Sequence, residues 1–174
     1  MLYEPAEDSF LLLSFVKDYA KGRMLDMGCG SGILAKEAMK YSNDVFAVDI
    51  DEEAIEFCRK QGISAVRSNL FSNVNGKFDI VIFNPPYLPR DKRESKKDSL
   101  ALSGGKNGHK IIEKFLKQTK KHLNKNGKIL VVVSSLTGDV EKLFKGNGYE
   151  FKMLKQESYF FEKLMVYLVW MNNP

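Results

Sequence analysis

The stretch Asp26-Met27-Gly28-Cys29-Gly30-Ser31-Gly32 decides the fold. It follows an apolar strand pattern at Arg23–Met27 and precedes a helical pattern at Ile33–Tyr41. Glycines at alternate positions permit a tight turn and let a ligand approach the backbone, and the start of the helix offers free amide donors. A strand, a glycine loop and a helix in this order predict a ligand site at the edge of a parallel sheet.

A second acidic residue identifies the class of ligand. Asp49 ends the next predicted strand, Val45–Asp49, about 20 residues after the loop, where it can accept hydrogen bonds from ribose hydroxyls. A nicotinamide dinucleotide site would also fit, but its fingerprint needs a glycine where this chain has Ile33. Asp26, just before the loop, can hold the amino-acid end of S-adenosylmethionine. The pattern therefore favours S-adenosylmethionine, and a purely structural turn is the remaining alternative.

The rest of the chain alternates short strands with helices, which predicts one α/β domain over residues 1–174 with a mostly parallel sheet. The opening helix is predicted over Ser9–Ala20, with Phe10, Leu13 and Val16 on its buried face and with Asp8 or Ser9 as its cap. The other predicted helices are Glu52–Lys60, Lys110–Leu123 and Val140–Lys145, and the other predicted strands are Ile63–Val66, Phe78–Phe83, Lys128–Val133 and two within Tyr149–Trp170.

Composition excludes several classes of protein. The 174 residues are 44% hydrophobic and 28% charged, which is ordinary for a soluble domain and unlike a disordered chain. No apolar run reaches the ~18 residues that a membrane span needs, and the N-terminus has no secretion signal. The two cysteines lack metal-ligand spacing, so we expect reduced thiols, no metal site and a cytoplasmic protein.

The tetrapeptide Asn84-Pro85-Pro86-Tyr87 directly follows the predicted strand Phe78–Phe83. The prolines fix the backbone where α/β sheets bind their ligands. The Asn84 side-chain oxygen and the Pro85 carbonyl are then two acceptors for the two hydrogens of a planar –NH2 group, and Tyr87 offers an aromatic face for stacking. Such a site would act by positioning the nitrogen, without a histidine or cysteine base. A stiff turn that only closes the strand is the alternative interpretation.

Three segments together resemble the HemK-type class I methyltransferases, in particular their short archaeal and eukaryotic branch. They are Tyr3-Glu4-Pro5-Ala6-Glu7-Asp8-Ser9, Asn84-Pro85-Pro86-Tyr87 and Gly104-Gly105-Lys106-Asn107-Gly108. The resemblance implies a Rossmann-like, doubly wound sheet of seven strands with a C-terminal antiparallel hairpin. It also implies S-adenosylmethionine as cofactor and, as substrate, the glutamine of the Gly-Gly-Gln motif in a peptide release factor.

The same resemblance implies roles for individual residues. Asp26, Gly28 and Gly30 belong to the loop that holds the methionine part of the cofactor. Further cofactor contacts are implied for Ser9, Asp49 (ribose), Asn69 and Leu70 (adenine) and Asn84, which also contacts the target amide. Asn69 departs from the family, which often has an acidic residue there. Asn84, Pro85 and Tyr87 are the implied catalytic residues.

The resemblance also implies a partner. The chain lacks the extra N-terminal helical domain of bacterial HemK enzymes, which suits the branch that works with a small zinc-binding activator protein. We expect that activator at the sheet edge formed by Ile63–Val66, where unpaired backbone groups invite strand addition.

The sequence is also compatible with two other functions. Adenine and cytosine also carry a planar –NH2, so the acceptor of the methyl group can be an RNA or DNA base, and the net charge of +5 leans slightly that way. A non-catalytic scaffold that kept the cofactor fold is the other alternative, although intact Asp49, Asn84 and Tyr87 argue against it.

Overall fold

The computed structural model describes residues 4–85 and 109–172, and they form a single sheet covered by helices on both faces. The helices are α1 (Glu7–Tyr19), α2 (Ile33–Ala38), α3 (Glu52–Lys60), α4 (Lys110–Thr119) and α5 (Val140–Gly146). The strands are β1 (Arg23–Met27), β2 (Asp44–Asp49), β3 (Ser64–Arg67), β4 (Phe78–Phe83), β5 (Leu123–Ser134), β6 (Tyr149–Ser158) and β7 (Lys163–Met171).

The seven strands lie in the order β3-β2-β1-β4-β5-β7-β6. Strands β1 to β5 pair in parallel, and β7 runs antiparallel to both of its neighbours. The predicted mostly parallel sheet with a C-terminal antiparallel hairpin is therefore confirmed. The order reverses at β1, where β2 lies on one side and β4 on the other, and ligands of doubly wound sheets bind at such a switch point.

Side chains alternate along the strands between two apolar clusters, one on each face of the sheet. One cluster joins β1 to α1, α2 and α3 through residues such as Met24, Leu12 and Ile55. The other joins β1 to α4 and α5 through residues such as Leu25 and Phe115. Because both faces are covered, the central strands are apolar throughout, and polar side chains collect where the strands end.

The predicted buried face of α1 is wrong in part. Phe10 is 55% exposed, whereas Leu11, Leu12 and Val16 are buried. The helix also begins earlier than predicted, at Glu7 with Ala6 as its N-cap, and no side chain caps it. Asp8 and Ser9 thus lie in the first turn instead of at the cap, and both are buried.

Most other bounds agree with the predictions, and the differences lie at the ends of elements. Helices α2 and α4 end earlier than predicted, and β5 begins earlier, at Leu123. The edge strand is Ser64–Arg67, and Ile63 lies just before it in the core. No helix within residues 4–85 and 109–172 is long and apolar enough to cross a membrane.

Candidate active site

The predicted site residues of the described chain gather at the carboxyl ends of three adjacent strands. Met27 pairs with Val48 of β2 on one side and with Phe83 of β4 on the other. The residues that follow these three positions, Gly28, Asp49 and Asn84, therefore leave the sheet side by side.

The glycine loop is held against β2 by backbone hydrogen bonds. The amides of Gly28 and Cys29 both donate to the Val48 carbonyl, at 2.8 and 2.9 Å. Gly28 has a φ of 70°. Of the residues that the structure describes, a Cβ built there would meet only the Phe83 ring, at 3.9 Å, and these residues leave space above the loop for a ligand.

Gly32 and Cys29 serve packing within this loop. A Cβ at Gly32 would lie 2.7 Å from Ile63 Cδ1 and 2.8 Å from Cys58 Sγ, so only glycine fits where the loop enters α2. Cys29 is buried with its Sγ atom 3.6 Å from that of Cys58. Its hydrogen bond with Cys58, together with burial, keeps the pKa of the Cys29 thiol above its usual range, which disfavours the nucleophilic thiolate form.

Asp49 ends β2 with its carboxylate fixed by two backbone amides. Oδ2 accepts from Gly30 N at 2.9 Å and Oδ1 accepts from Asp51 N at 2.9 Å. The side chain is half-buried, and each carboxylate oxygen keeps a further lone pair for another donor. This arrangement ties the orientation of Asp49 to the shape of the glycine loop.

Asp26 is a buried carboxylic acid with one oxygen unsatisfied. It is 1% exposed, its Oδ2 accepts from Ala35 N at 3.0 Å, and its Oδ1 has no hydrogen-bond partner among the described residues. Burial raises the pKa of Asp26 to about 7, an effect that the Ala35 amide opposes and the charge of Asp49 adds to. A buried acid with a free oxygen is suited to receive a cationic group.

The loop after β3 passes beside Asp49 and carries Asn69 and Leu70. Ser68 N donates to the Asp49 carbonyl at 2.8 Å, and Ser68 Oγ donates to the Leu70 carbonyl at 2.6 Å. Leu70 has a φ of 53° and is the sole non-glycine residue with positive φ in the described part of the chain. Such a conformation is typical of ligand sites. Asn69 is exposed, and its backbone amide donates to Ser72 Oγ.

The Asn84 amide is oriented by the first turn of α1. Its Nδ2 donates to Asp8 Oδ2 and to Ser9 Oγ, both at 3.2 Å. Its Oδ1 is buried and accepts no hydrogen bond from any described residue. The carboxylate of Asp8 accepts hydrogen bonds and thus selects the amide nitrogen over the oxygen. Asn84 is left with one free acceptor at the carboxyl edge of the sheet.

Asp8 is the residue of this site that sequence reasoning missed. Its position just before the predicted helix suggested a cap, and nothing in its sequence neighbourhood points to Asn84, which lies 76 residues away. Pro85 follows Asn84 and is buried. The predicted contributions of Tyr87 and of the loop Gly104 to Gly108 lie outside the described residues.

These features fit S-adenosylmethionine. The unsatisfied Asp26 oxygen suits its ammonium group, the open space above Gly28 suits its methionine chain, and Asp49 at the end of β2 suits its ribose. The Asn84 oxygen, which has no partner among the described residues, follows the end of β4 beside the glycine loop.

Comparison with known proteins identifies the family. Residues 6–160 match the family described as methyltransferase small domain. The chain belongs to this family. It is also 37% identical, over 97% of its own length and 91% of the relative's, to a protein of Methanocaldococcus jannaschii that carries the provisional name protein N5-glutamine methyltransferase.

Two further matches place this methyltransferase among its relatives. It is 29% identical to the ribosomal RNA small subunit methyltransferase C of Haemophilus influenzae, over 86% of its own length and 43% of that protein. Its fold superposes, with a TM-score of 0.79, on one chain in the structure of the E. cuniculi Mtq2–Trm112 complex, a complex described as responsible for methylating the translation termination factor eRF1. That match covers 98% of this chain and 99% of the other, at 24% identity, and it confirms the class I methyltransferase fold.

Proposed function

We propose that this methyltransferase transfers a methyl group from S-adenosylmethionine to the side-chain amide nitrogen of the glutamine in a release factor's Gly-Gly-Gln motif. The observation that carries the proposal is the free Oδ1 of Asn84, held in place by Asp8 and Ser9. The 37% identical relative named as a protein N5-glutamine methyltransferase supports the class of acceptor.

The site promotes methyl transfer by holding the target nitrogen in a fixed orientation. In this proposal Asn84 Oδ1 accepts one hydrogen of the target –NH2 and the Pro85 carbonyl accepts the other, and Tyr87, which lies outside the described residues, is the residue expected from the sequence to stack on the flat amide. When bound, the cofactor supplies a methyl group on a positively charged sulfur. The reaction forms a nitrogen–carbon bond, breaks a sulfur–carbon bond and releases one amide proton. Polarising and aligning the amide contributes most of the catalysis, because an amide nitrogen is a weak nucleophile.

The glycines that flank the target glutamine allow its side chain to enter the site. Asn84 is half-buried, and its bonding partners Asp8 and Ser9 are each 4% exposed, so the acceptor lies recessed at the sheet edge. A glutamine with glycine neighbours has no adjacent side chains to collide with the walls of such a recess.

An exocyclic amine of adenine or cytosine in RNA or DNA is the second candidate acceptor, supported by the similarity to the ribosomal RNA methyltransferase.

A small zinc-binding activator is proposed as partner, at the β3 edge. Among the described strands, β3 pairs with β2 alone, so its other side carries backbone groups that no described strand pairs with. The structural similarity to a complex of two proteins, Mtq2 and Trm112, supports a partner of this kind.

Transfer of radiolabelled methyl groups tests the function directly. The chain, alone and co-expressed with a candidate small zinc protein, is offered a release factor, the factor with its Gly-Gly-Gln glutamine changed to alanine, transfer RNA and duplex DNA. We expect label on the intact factor only, and more of it with the zinc protein present. Label on nucleic acid and not on the factor would replace this function by the second candidate.

Cofactor affinity should depend on pH through Asp26. Because burial raises the pKa of Asp26 to about 7, the carboxylate that binds the cofactor's ammonium forms only as the pH rises through that value. From pH 6 to pH 7 the charged fraction of Asp26 grows about fivefold while the cofactor's α-ammonium, whose usual pKa is about 7.7–8.0, stays mostly charged, so the dissociation constant should fall about fivefold over this range. Calorimetry at several pH values measures it. Asp26→Asn should bind weakly with a flat profile, and a flat profile in the wild type would remove Asp26 from the site.

A further inference from the structure

The turn between β6 and β7, residues 159–162, presents two adjacent phenylalanines to solvent. Phe160 is 92% exposed and Phe161 is 83% exposed, while the next most exposed large apolar side chain among the described residues, Phe10, is 55% exposed. Their rings pack edge to face with centroids 4.5 Å apart. Isolated apolar side chains on a surface are common, but two aromatic rings at one loop tip are typical of a binding surface.

The topology puts this tip at the same end of the strands as the candidate active site. Strand β5 is parallel to β4 and ends at Ser134, beyond the level of Asn84. Strand β7 is antiparallel to β5 and begins beside that end, with Leu164 paired to Ser134. From strand spacing and rise per residue, the tip lies on the order of 20 Å from Asn84.

The base of the turn is fixed by several hydrogen bonds. The buried Ser134 donates from its hydroxyl to the Glu162 carboxylate, and Tyr159 N donates to the Glu162 carbonyl at 2.8 Å. Lys163 N donates to Ser135 Oγ at 2.9 Å. The next residue, Leu136, is 45% exposed and extends the apolar surface beside the turn. We call Leu136, Phe160 and Phe161 the hairpin patch.

Residues 155–163, which form the turn and the strand ends beside it, contain two lysines and two glutamates, so neither sign of charge is in excess there. Lys155 Nζ lies 2.6 Å from Glu157 Oε1, so these two charges offset each other. The pKa of Tyr159 is raised by its hydrogen bond to Glu157, then by burial, and also by Glu7 and Asp8 of the helix that orients Asn84. This setting disfavours a phosphate backbone, which needs an excess of lysine and arginine, and favours an apolar protein surface with a basic or neutral rim.

We propose that the hairpin patch docks the folded body of the protein substrate while its glutamine loop enters the site at Asn84. This inference rests on the proposed function. A loop whose neighbours are glycines offers few side chains for recognition, so affinity must come from contacts elsewhere on the same partner. A fixed pair of exposed aromatic rings at the site's edge provides an anchor of the kind that dominates protein interfaces.

The test compares a folded substrate with a short one. The double variant Phe160→Ser/Phe161→Ser is assayed on a whole release factor and on a short peptide containing Gly-Gly-Gln, beside the wild type. We expect kcat/KM on the factor to fall about five- to twentyfold, mainly through KM, and kcat/KM on the peptide to stay within about twofold. Met39→Ala is the matched control and should leave both values unchanged. Met39 is an exposed apolar residue just after α2, at the opposite end of the strands.

Other outcomes would overturn the inference. Unchanged activity on the factor, or an equal loss on factor and peptide, would mean that the patch does not dock the substrate body. If the wild type self-associates in sedimentation and the double variant does not, the patch binds a second copy of this chain. If the variant instead loses labelling of RNA, the patch stacks bases. A wild type that labels neither factor nor peptide overturns the proposed function first, and this inference with it.

Discussion

Asn84→Ala should slow methyl transfer by about a thousandfold while weakening cofactor binding much less. Asn84 Oδ1 is a buried acceptor without a partner among the described residues, and Asp8 and Ser9 hold its Nδ2 at 3.2 Å. Alanine removes the acceptor that orients the target amide, and loss of one preorganised polar group at a reacting centre typically costs about 10²–10³-fold in rate. Misalignment of the nitrogen adds to that loss.

Single-turnover kinetics with saturating cofactor measure the Asn84→Ala effect, and calorimetry measures its cofactor affinity. Asn126→Ala is the matched control. Asn126 is exposed near the opposite end of the strands, so this variant should transfer methyl groups at the normal rate. Asp8→Asn is a second variant: it keeps the shape but no longer selects the orientation of the Asn84 amide, so it should slow transfer without abolishing it. Near-normal transfer by Asn84→Ala would mean that the Asn-Pro-Pro-Tyr tetrapeptide serves only as a structural turn.

Asp49→Ala should weaken binding of S-adenosylmethionine about 10- to 100-fold. The carboxylate lies at the end of β2, next to the glycine loop, where it would accept the ribose hydroxyls. Loss of hydrogen bonds to a charged acceptor costs ~1.5–3 kcal/mol, which corresponds to that range of affinity. The Asp49 carboxylate also holds Gly30 N at 2.9 Å, so the same change loosens the loop that contacts the methionine part.

Calorimetric titration of Asp49→Ala is compared with Asp44→Ala, which alters the other end of the same strand. Asp44 is exposed and makes only a 3.8 Å ion pair with Arg23, so its loss should leave affinity unchanged. Asp49→Asn keeps one acceptor and should bind with intermediate affinity. Equal affinities for wild type and Asp49→Ala would exclude this residue from the ribose site, and tight binding of a nicotinamide cofactor instead would contradict the whole cofactor assignment.

The first helix illustrates where a local pattern is ambiguous. Phe10, Leu13 and Val16 have helical spacing and look like a buried face, yet Leu11, Leu12 and Val16 form that face and Phe10 is exposed. Apolar residues occupy four consecutive positions, Phe10 to Leu13, so spacing alone does not fix the rotation of the helix. The packing of α1 against α2 and β5 decides it.

The sequence by itself determined the elements, the glycine loop and the acidic strand ends, because these depend on short-range patterns. Strand β1, helix α3 and strand β4 have the predicted bounds, and the carboxyl ends of parallel strands meet at one edge in any sheet of this class. Only the tertiary structure decided that Asp8 orients Asn84 and that Phe160 and Phe161 lie at the edge of the sheet where Asn84 lies. Both arrangements depend on elements far apart in the chain, and their geometry follows from how helices pack on the sheet and from the direction of β7.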